Sequence, residues 1–258
     1  MSLQVMTLGA GPQLVLLHGW GLNSQVWLET AELLAKNFQV VVPDLPGHGG
    51  SPMPAGAYTV ENILADLEEL ITPGVFVVGW SLGGLFALRF ALSQPQNIPR
   101  LILVGANAQF VKTDQWPYAM PASVLQGFAQ GLEKDYKATL QRFLALQSRG
   151  GDGSRETIRL LRQRVEQNGL PRLQALRGGL RILEQQSCVE LLPNLLCPSL
   201  IMHGRLDTLV PVQAAEAMVK RIPGAKLSIF ERSAHAPFLT HREEFVQQVE
   251  SFLLGDGL

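Results

Sequence analysis

Cysteine is scarce in this chain: Cys188 and Cys197 are the only two among 258 residues. That excludes a disulfide scaffold. It fits a reduced, cytoplasmic setting in which both are small core or near-surface thiols, with a local disulfide as the alternative. There is no His-Glu-x-x-His and no cysteine pair at zinc spacing, so no metal site is expected. No apolar run reaches the ~20 residues that cross a bilayer. No basic and apolar leader opens the chain, so neither a membrane partner nor export is expected. Neither sign of charge dominates. The net charge is −1 and charged residues make up 17 %, which excludes the overall basicity of a nucleic-acid binder. Internal repeats and low-complexity tracts are missing too.

What is present is a chain with 47 % hydrophobic residues. That is enough for one sizeable core, or for a core carrying an inserted subdomain. Short apolar runs at 14–18, 38–42, 75–78, 101–104, 200–203 and 227–230 read as strands. The run at 3–8 is expected to pair with the first of them across Gly9-Ala10-Gly11-Pro12. Helical patterns at 27–36, 60–71, 82–93, 214–221 and 243–254 fall between most of these runs. Continuous apolar strands alternating with helices indicate an α/β fold whose parallel sheet is covered on both faces.

One region breaks the alternation. From 110 to 186 no strand is legible, and helical patterns at 136–147, 155–167 and 173–183 take its place. Roughly 75 residues is too long for an ordinary crossover. The expected organisation is a core formed by 1–109 and 187–258, with a helical cap at 110–186 over the carboxyl ends of the strands. Between Lys112 and Arg181 twelve basic residues stand against six acids, an excess of six that leaves −7 on the rest. Such asymmetry points to an acidic partner for this segment.

The sharpest local signal is Gly79-Trp80-Ser81-Leu82-Gly83, between the apolar run Val75-Phe76-Val77-Val78 and the helical pattern from Leu82. A serine between glycines at a strand-to-helix junction reads as a nucleophile elbow, a tight turn that demands small neighbours. The alternative is a plain turn whose serine caps the helix. A serine needs a base, and the base needs an acid. His235, in Ser233-Ala234-His235-Ala236-Pro237-Phe238 after the last strand, is the candidate base. His18, His48, His203 and His241 fit worse, at strand ends, in a glycine loop and at a helix start. Asp207 is the candidate acid, just beyond a strand in His203-Gly204-Arg205-Leu206-Asp207. The other station for an acid, after the strand that follows the elbow helix, reads Gly105-Ala106-Asn107-Ala108 and has no carboxylate. Backbone N–H groups of Leu82 and Trp20, the latter in the glycine turn His18-Gly19-Trp20-Gly21, are the candidate oxyanion donors. The loop at 44–51 is rich in glycine but lacks the lysine and spacing of a phosphate-binding loop.

Taken together, these residues resemble the α/β-hydrolase superfamily across nearly the whole chain. His18-Gly19-Trp20-Gly21-Leu22-Asn23, Gly79-Trp80-Ser81-Leu82-Gly83-Gly84-Leu85, Arg142-Phe143-Leu144-Ala145-Leu146-Gln147 and Ala234-His235-Ala236-Pro237-Phe238 are similar to the pimeloyl-[acyl-carrier protein] methyl ester carboxylesterases of biotin synthesis. The third lies in the cap and is the more specific pointer. The resemblance implies a serine esterase that demethylates a pimeloyl ester on its carrier protein, with Ser81, Asp207 and His235 as triad. It implies that Trp20, Trp80, Leu82 and Phe143 bind substrate, and that Arg142, Arg155 and Arg159 grip the acidic acyl-carrier protein. A fourth basic position of that family is Ala138 here, beside Lys137. A cytoplasmic monomer without a cofactor is the expectation. The rival readings are a general short-chain esterase, a thioesterase or a carbon–carbon bond hydrolase of the same fold, or a protein that keeps the triad only to bind a ligand. A dehalogenase would want an aspartate at position 81.

Overall fold

The computed structural model describes residues 2–255. Seven strands form one sheet: β1 (Val5–Leu8), β2 (Gln13–Leu17), β3 (Gln39–Pro43), β4 (Phe76–Trp80), β5 (Leu101–Val104), β6 (Ser199–Gly204) and β7 (Lys226–Phe230). Their spatial order is β1-β3-β2-β4-β5-β6-β7, parallel throughout except for β1. The helices are α1 (Leu28–Leu34), α2 (Val60–Leu67), α3 (Leu82–Ser93), α4 (Ala122–Lys134), α5 (Tyr136–Gln147), α6 (Ser154–Gln167), α7 (Leu173–Gln185), α8 (Val212–Arg221), α9 (Pro237–Thr240) and α10 (Arg242–Leu254).

The central strands are apolar along their whole length because helices cover both faces. Every residue of β5 and β6 is buried. Packing between elbow and sheet is correspondingly tight: α3 buries nine of its twelve residues, so it is a core helix with almost no polar face. One expectation needs correction. The first strand does not pair with β2. It lies antiparallel to β3, with Val5 opposite Pro43 and Leu8 opposite Val40. Both edges of β2 are already taken, by β3 and β4, so β1 can add only at the outer edge of the sheet.

Between β5 and β6 the chain forms the four helices α4 to α7. α5 starts at an aspartate cap, Asp135 accepting from Ala138 N–H at 3.0 Å. In α6 the buried residues Thr157, Leu161 and Val165 recur every fourth position, a narrow apolar stripe that leaves Arg155, Arg159 and Arg162 exposed. Polar bonds pin the insertion to the core. Trp20 Nε1 donates to Leu176 O at 2.9 Å, Asn23 Nδ2 to Arg164 O at 3.2 Å and Arg172 N to Gly47 O at 2.8 Å. Arg164 pairs with Glu29. At the other side His235 N donates to Gln147 O at 2.9 Å, and Arg232 pairs with Asp152 at 2.8 Å.

Candidate active site

The elbow is built as its glycines require. A Cβ on Gly79 would stand 2.6 Å from Gly83 O, and one on Gly83 would stand 2.5 Å from His18 O. Backbone fills both places, so no side chain fits. Ser81 has φ 57 and ψ −117. It is the only non-glycine residue at positive φ among the described residues, a conformation that stores strain. Its side chain makes no capping bond to α3, so the turn-and-cap alternative does not hold.

Asp207 and His235 meet as their order along the chain suggested. His235 Nδ1 donates to Asp207 Oδ2 at 2.6 Å. Asp207 Oδ1 accepts from the N–H groups of Leu209 and Val210, each at 2.9 Å. His235 Nε2 is buried without a partner. Burial opposes the charge on Asp207, but His235 and His203 beside it outweigh burial and hold the carboxyl well below the usual range. Ser81 N donates to Val104 O at 3.0 Å. The next residue, Gly105, lies so close to His235 that a Cβ there would be 3.1 Å from Nδ1. The station without a carboxylate is therefore where backbone must pass beside the histidine. Serine, aspartate and histidine are only 5 %, 7 % and 1 % exposed.

Gly19 runs against the elbow, its ideal Cβ position 3.3 Å from Ser81 Cβ, which brings the Trp20 backbone close behind it. From above, α7 closes on both expected oxyanion residues. A Cβ on Gly179 would be 2.6 Å from Trp20 Cδ1 and 3.3 Å from Leu82 Cδ2. Phe143 packs edge-on against Trp20 at 4.7 Å, and Phe128 reaches the same pair, 5.4 Å from Phe143. A groove of about 510 Å³ opens between α4 and α5, lined by Val124, Gly127, Phe128, Arg142, Ala145 and Leu146 among others.

Trp80, which the resemblance implies binds substrate, does not line that groove. Its Nε1 donates to His235 O at 2.8 Å, and its ring lies 4.8 Å from Phe238 and 6.4 Å from Trp27. It ends β4 on the face that α9 covers, so it supports the histidine loop from behind. Trp27 stacks on Phe238 at 3.9 Å beneath it. Arg142 donates to Thr139 Oγ1 at 3.0 Å at the groove, while Arg155 and Arg159 lie on α6. None of the three makes an ion pair with a described residue.

His18 and His48, set aside as bases, form a buried pair. His18 Nε2 accepts from Leu45 N–H at 2.9 Å, and the rings meet edge-on at 5.3 Å. Burial, then the neighbouring His18, depresses His48 to about 3. Residues that sequence reasoning missed are Phe128, Gly179 and His203. Only His203 carried a signal, four positions before Asp207. Among the described residues no cluster of three or more His, Cys, Asp or Glu could hold a metal ion. None of the helices there is long and apolar enough to cross a membrane.

A mostly parallel sheet with a strained serine elbow at one strand end, and a buried histidine–carboxylate pair at two others, defines a hydrolase of the α/β type. The alpha/beta hydrolase fold family matches residues 12–242, and the chain belongs to it. It is 38 % identical to the pimeloyl-[acyl-carrier protein] methyl ester esterase of Aeromonas hydrophila, over 98 % of this chain and 100 % of that one. It is 40 % identical to the esterase of the same name from Pectobacterium atrosepticum, over 97 % and 98 % of the two chains. Among solved structures, an esterase from Exiguobacterium antarcticum superposes with a TM-score of 0.89 at 26 % identity, covering 98 % of this chain and 96 % of that one.

Proposed function

We propose that this chain is a serine carboxylesterase that hydrolyses the methyl ester of pimeloyl-[acyl-carrier protein], releasing methanol and the free pimeloyl acid on its carrier for biotin synthesis. The observation that carries the reading is His235, with Nδ1 bound to Asp207 and Nε2 left unpartnered. Ser81 Oγ attacks the ester carbonyl as His235 Nε2 takes its proton. The tetrahedral oxyanion rests on the N–H groups of Trp20 and Leu82. The carbon–oxygen bond to methoxide breaks, and His235 returns the proton to it as methanol. Water, deprotonated by the same nitrogen, then attacks the acyl-serine and frees the carboxylate and Ser81. No cofactor enters the scheme.

Residues 110–186 act as a cap. Its helix α7 seals Trp20 and Leu82, and the groove with Phe128 and Phe143 at its inner end is the acyl path. That path lies beside α4, for which no polar bond to the core is found among the described residues, so this side is the freest to move. Arg142, Arg155 and Arg159 receive the acidic carrier protein. The excess of basic residues there and the names of the relatives support this. Ala138 is exposed on α5 and offers no charge, so the carrier meets Lys137 at that end instead. We take the enzyme to be a cytoplasmic monomer. Cys188 and Cys197, both buried as free thiols, support a reducing compartment, and sedimentation at the monomer mass tests the assembly.

The deciding experiment compares the carrier-bound methyl ester with free dimethyl pimelate at low and high salt. A preference for the carrier that salt erases is expected. Charge reversal at Arg155 and Arg159 is expected to raise KM for the carrier substrate alone. Equal rates on both substrates would leave only a general esterase.

A further inference from the structure

Asp207 is bound by a second histidine. His203 is the fifth residue of β6, fully buried, and its Nε2 lies 2.8 Å from Val210 O and 3.4 Å from Asp207 Oδ2. Both neighbours can only accept. The proton must therefore sit on Nε2, forked between the two oxygens. His203 Nδ1 is buried with no partner, so no acceptor favours the other tautomer. Oδ2 thus receives an imidazole N–H from each side, and Oδ1 two backbone N–H groups. The titratable groups acting on Asp207 are His235, from the loop after β7, and His203, from β6.

We propose that His203 is a positioning residue for the ester hydrolysis: its Nε2–H locks Asp207 Oδ2 against rotation and draws off part of the charge that His235 would otherwise receive. The proposal rests on the reading of Asp207 and His235 as acid and base. His203 touches no substrate and acts only through the carboxylate. A carboxylate with two imidazole donors stabilises protonated His235 less than one with a single donor.

The test uses His203→Phe and His203→Gln, assayed on a small methyl ester and normalised to sites labelled by a fluorophosphonate. In His203→Phe, kcat is expected to fall about tenfold at unchanged KM, and the acid limb of kcat/KM to move to higher pH. His203→Gln, whose amide N–H can donate from a similar place, is expected to recover most of both. An unmoved limb and wild-type kcat in His203→Phe, or a glutamine variant no better than phenylalanine, overturns the proposal. Nitrogen NMR of the unmodified enzyme provides a readout independent of folding: the Nε2–H tautomer at His203 is expected, and the Nδ1–H tautomer overturns it. Ser81→Ala is run alongside. Turnover surviving there would sink the triad itself, whereas a dead Ser81→Ala with normal His203 variants sinks only this inference.

Discussion

Replacing Asp207 by Asn keeps the shape of the site and changes one proton. Oδ1 accepts from two N–H groups, those of Leu209 and Val210, each at 2.9 Å. The introduced amide must place its oxygen there. The reverse orientation would set its NH2 against two buried donors, a cost of about 1–3 kcal/mol for each N–H left unmatched. With the oxygen so fixed, the NH2 faces His203 Nε2, which keeps Val210 O as its acceptor at 2.8 Å, and His235 Nδ1, where the carboxylate had accepted at 2.6 Å. Nδ1 then has to accept, and the ring proton moves to Nε2. An Nε2 that already carries a proton cannot take one from Ser81. The expected loss in kcat is on the order of 10⁴-fold, the scale seen when a triad histidine is held in the wrong tautomer, or about 5 kcal/mol on the barrier. The amide also loses its charge-assisted bond to His235, so stability is expected to fall by roughly 1–2 kcal/mol. The assay is turnover of a small methyl ester per folded molecule, with folding checked by circular dichroism. A well-folded Asp207→Asn within tenfold of the wild-type rate would refute the argument, because the carboxylate would then not set the tautomer.

Two further outcomes follow from groups held in costly states. Ser81→Gly is expected to abolish turnover while raising stability by on the order of 1 kcal/mol, since φ 57 costs serine more than glycine's extra chain entropy; a lower urea midpoint would count against strain at the elbow. Stability should also fall on mild acidification. His48 is held neutral in the fold with its pKa near 3, against an ordinary ~6.5 in the unfolded chain. Below that ordinary value the unfolded state binds a proton that the native state refuses, so stability present above it drains away as pH falls. The slope is about 1.4 kcal/mol per pH unit for this residue, or roughly 2 kcal/mol between pH 7 and 5, before carboxylates contribute. His48→Gln is expected to flatten the urea midpoint against pH by that amount, and an unchanged slope would rule His48 out as its source.

The elbow was legible because its constraint is local. Gly79 and Gly83 are demanded by backbone atoms a few positions away or on the adjoining strand end, and strand, turn and helix are contiguous in the chain. The same holds for α3 and α5, whose apolar spacing alone marked 82–93 and 136–147. α4 escaped notice because Gly127 and Gly131 interrupt its pattern and Val124 is exposed. Gly131 is there because a Cβ would meet Thr139 Oγ1 at 2.6 Å, a reason that resides in another helix. The partner of β1 was misread for a related cause: an apolar run states that it pairs, not with which neighbour. For Trp80 the resemblance implies substrate contact, whereas the direction of its side chain is set by Trp27 and Phe238, far away in sequence.

The fold buries two aspartates just past strand ends, Asp44 after β3 and Asp207 after β6, and sequence separates them only by their order relative to Ser81. Their donors separate them physically. Asp44 Oδ1 accepts from Ser24 N–H at 2.7 Å, and Oδ2 from Gly50 N–H at 2.9 Å and Asn168 Nδ2 at 3.0 Å. Every hydrogen bond found on the Asp44 carboxylate comes from an amide that cannot give up its proton near neutral pH, and one comes from Asn168, just after α6. Asp44 can therefore only hold: it ties the loop after β3, the turn before α1 and the end of α6 into one piece. Asp207 gives one oxygen to amides in the same way but the other to imidazoles, whose protons can move. Burial makes both carboxylates costly unless they are saturated with donors. A donor whose proton can move lets the same buried charge act on proton transfer through it, which supports Asp207, and not Asp44, as the proposed acid.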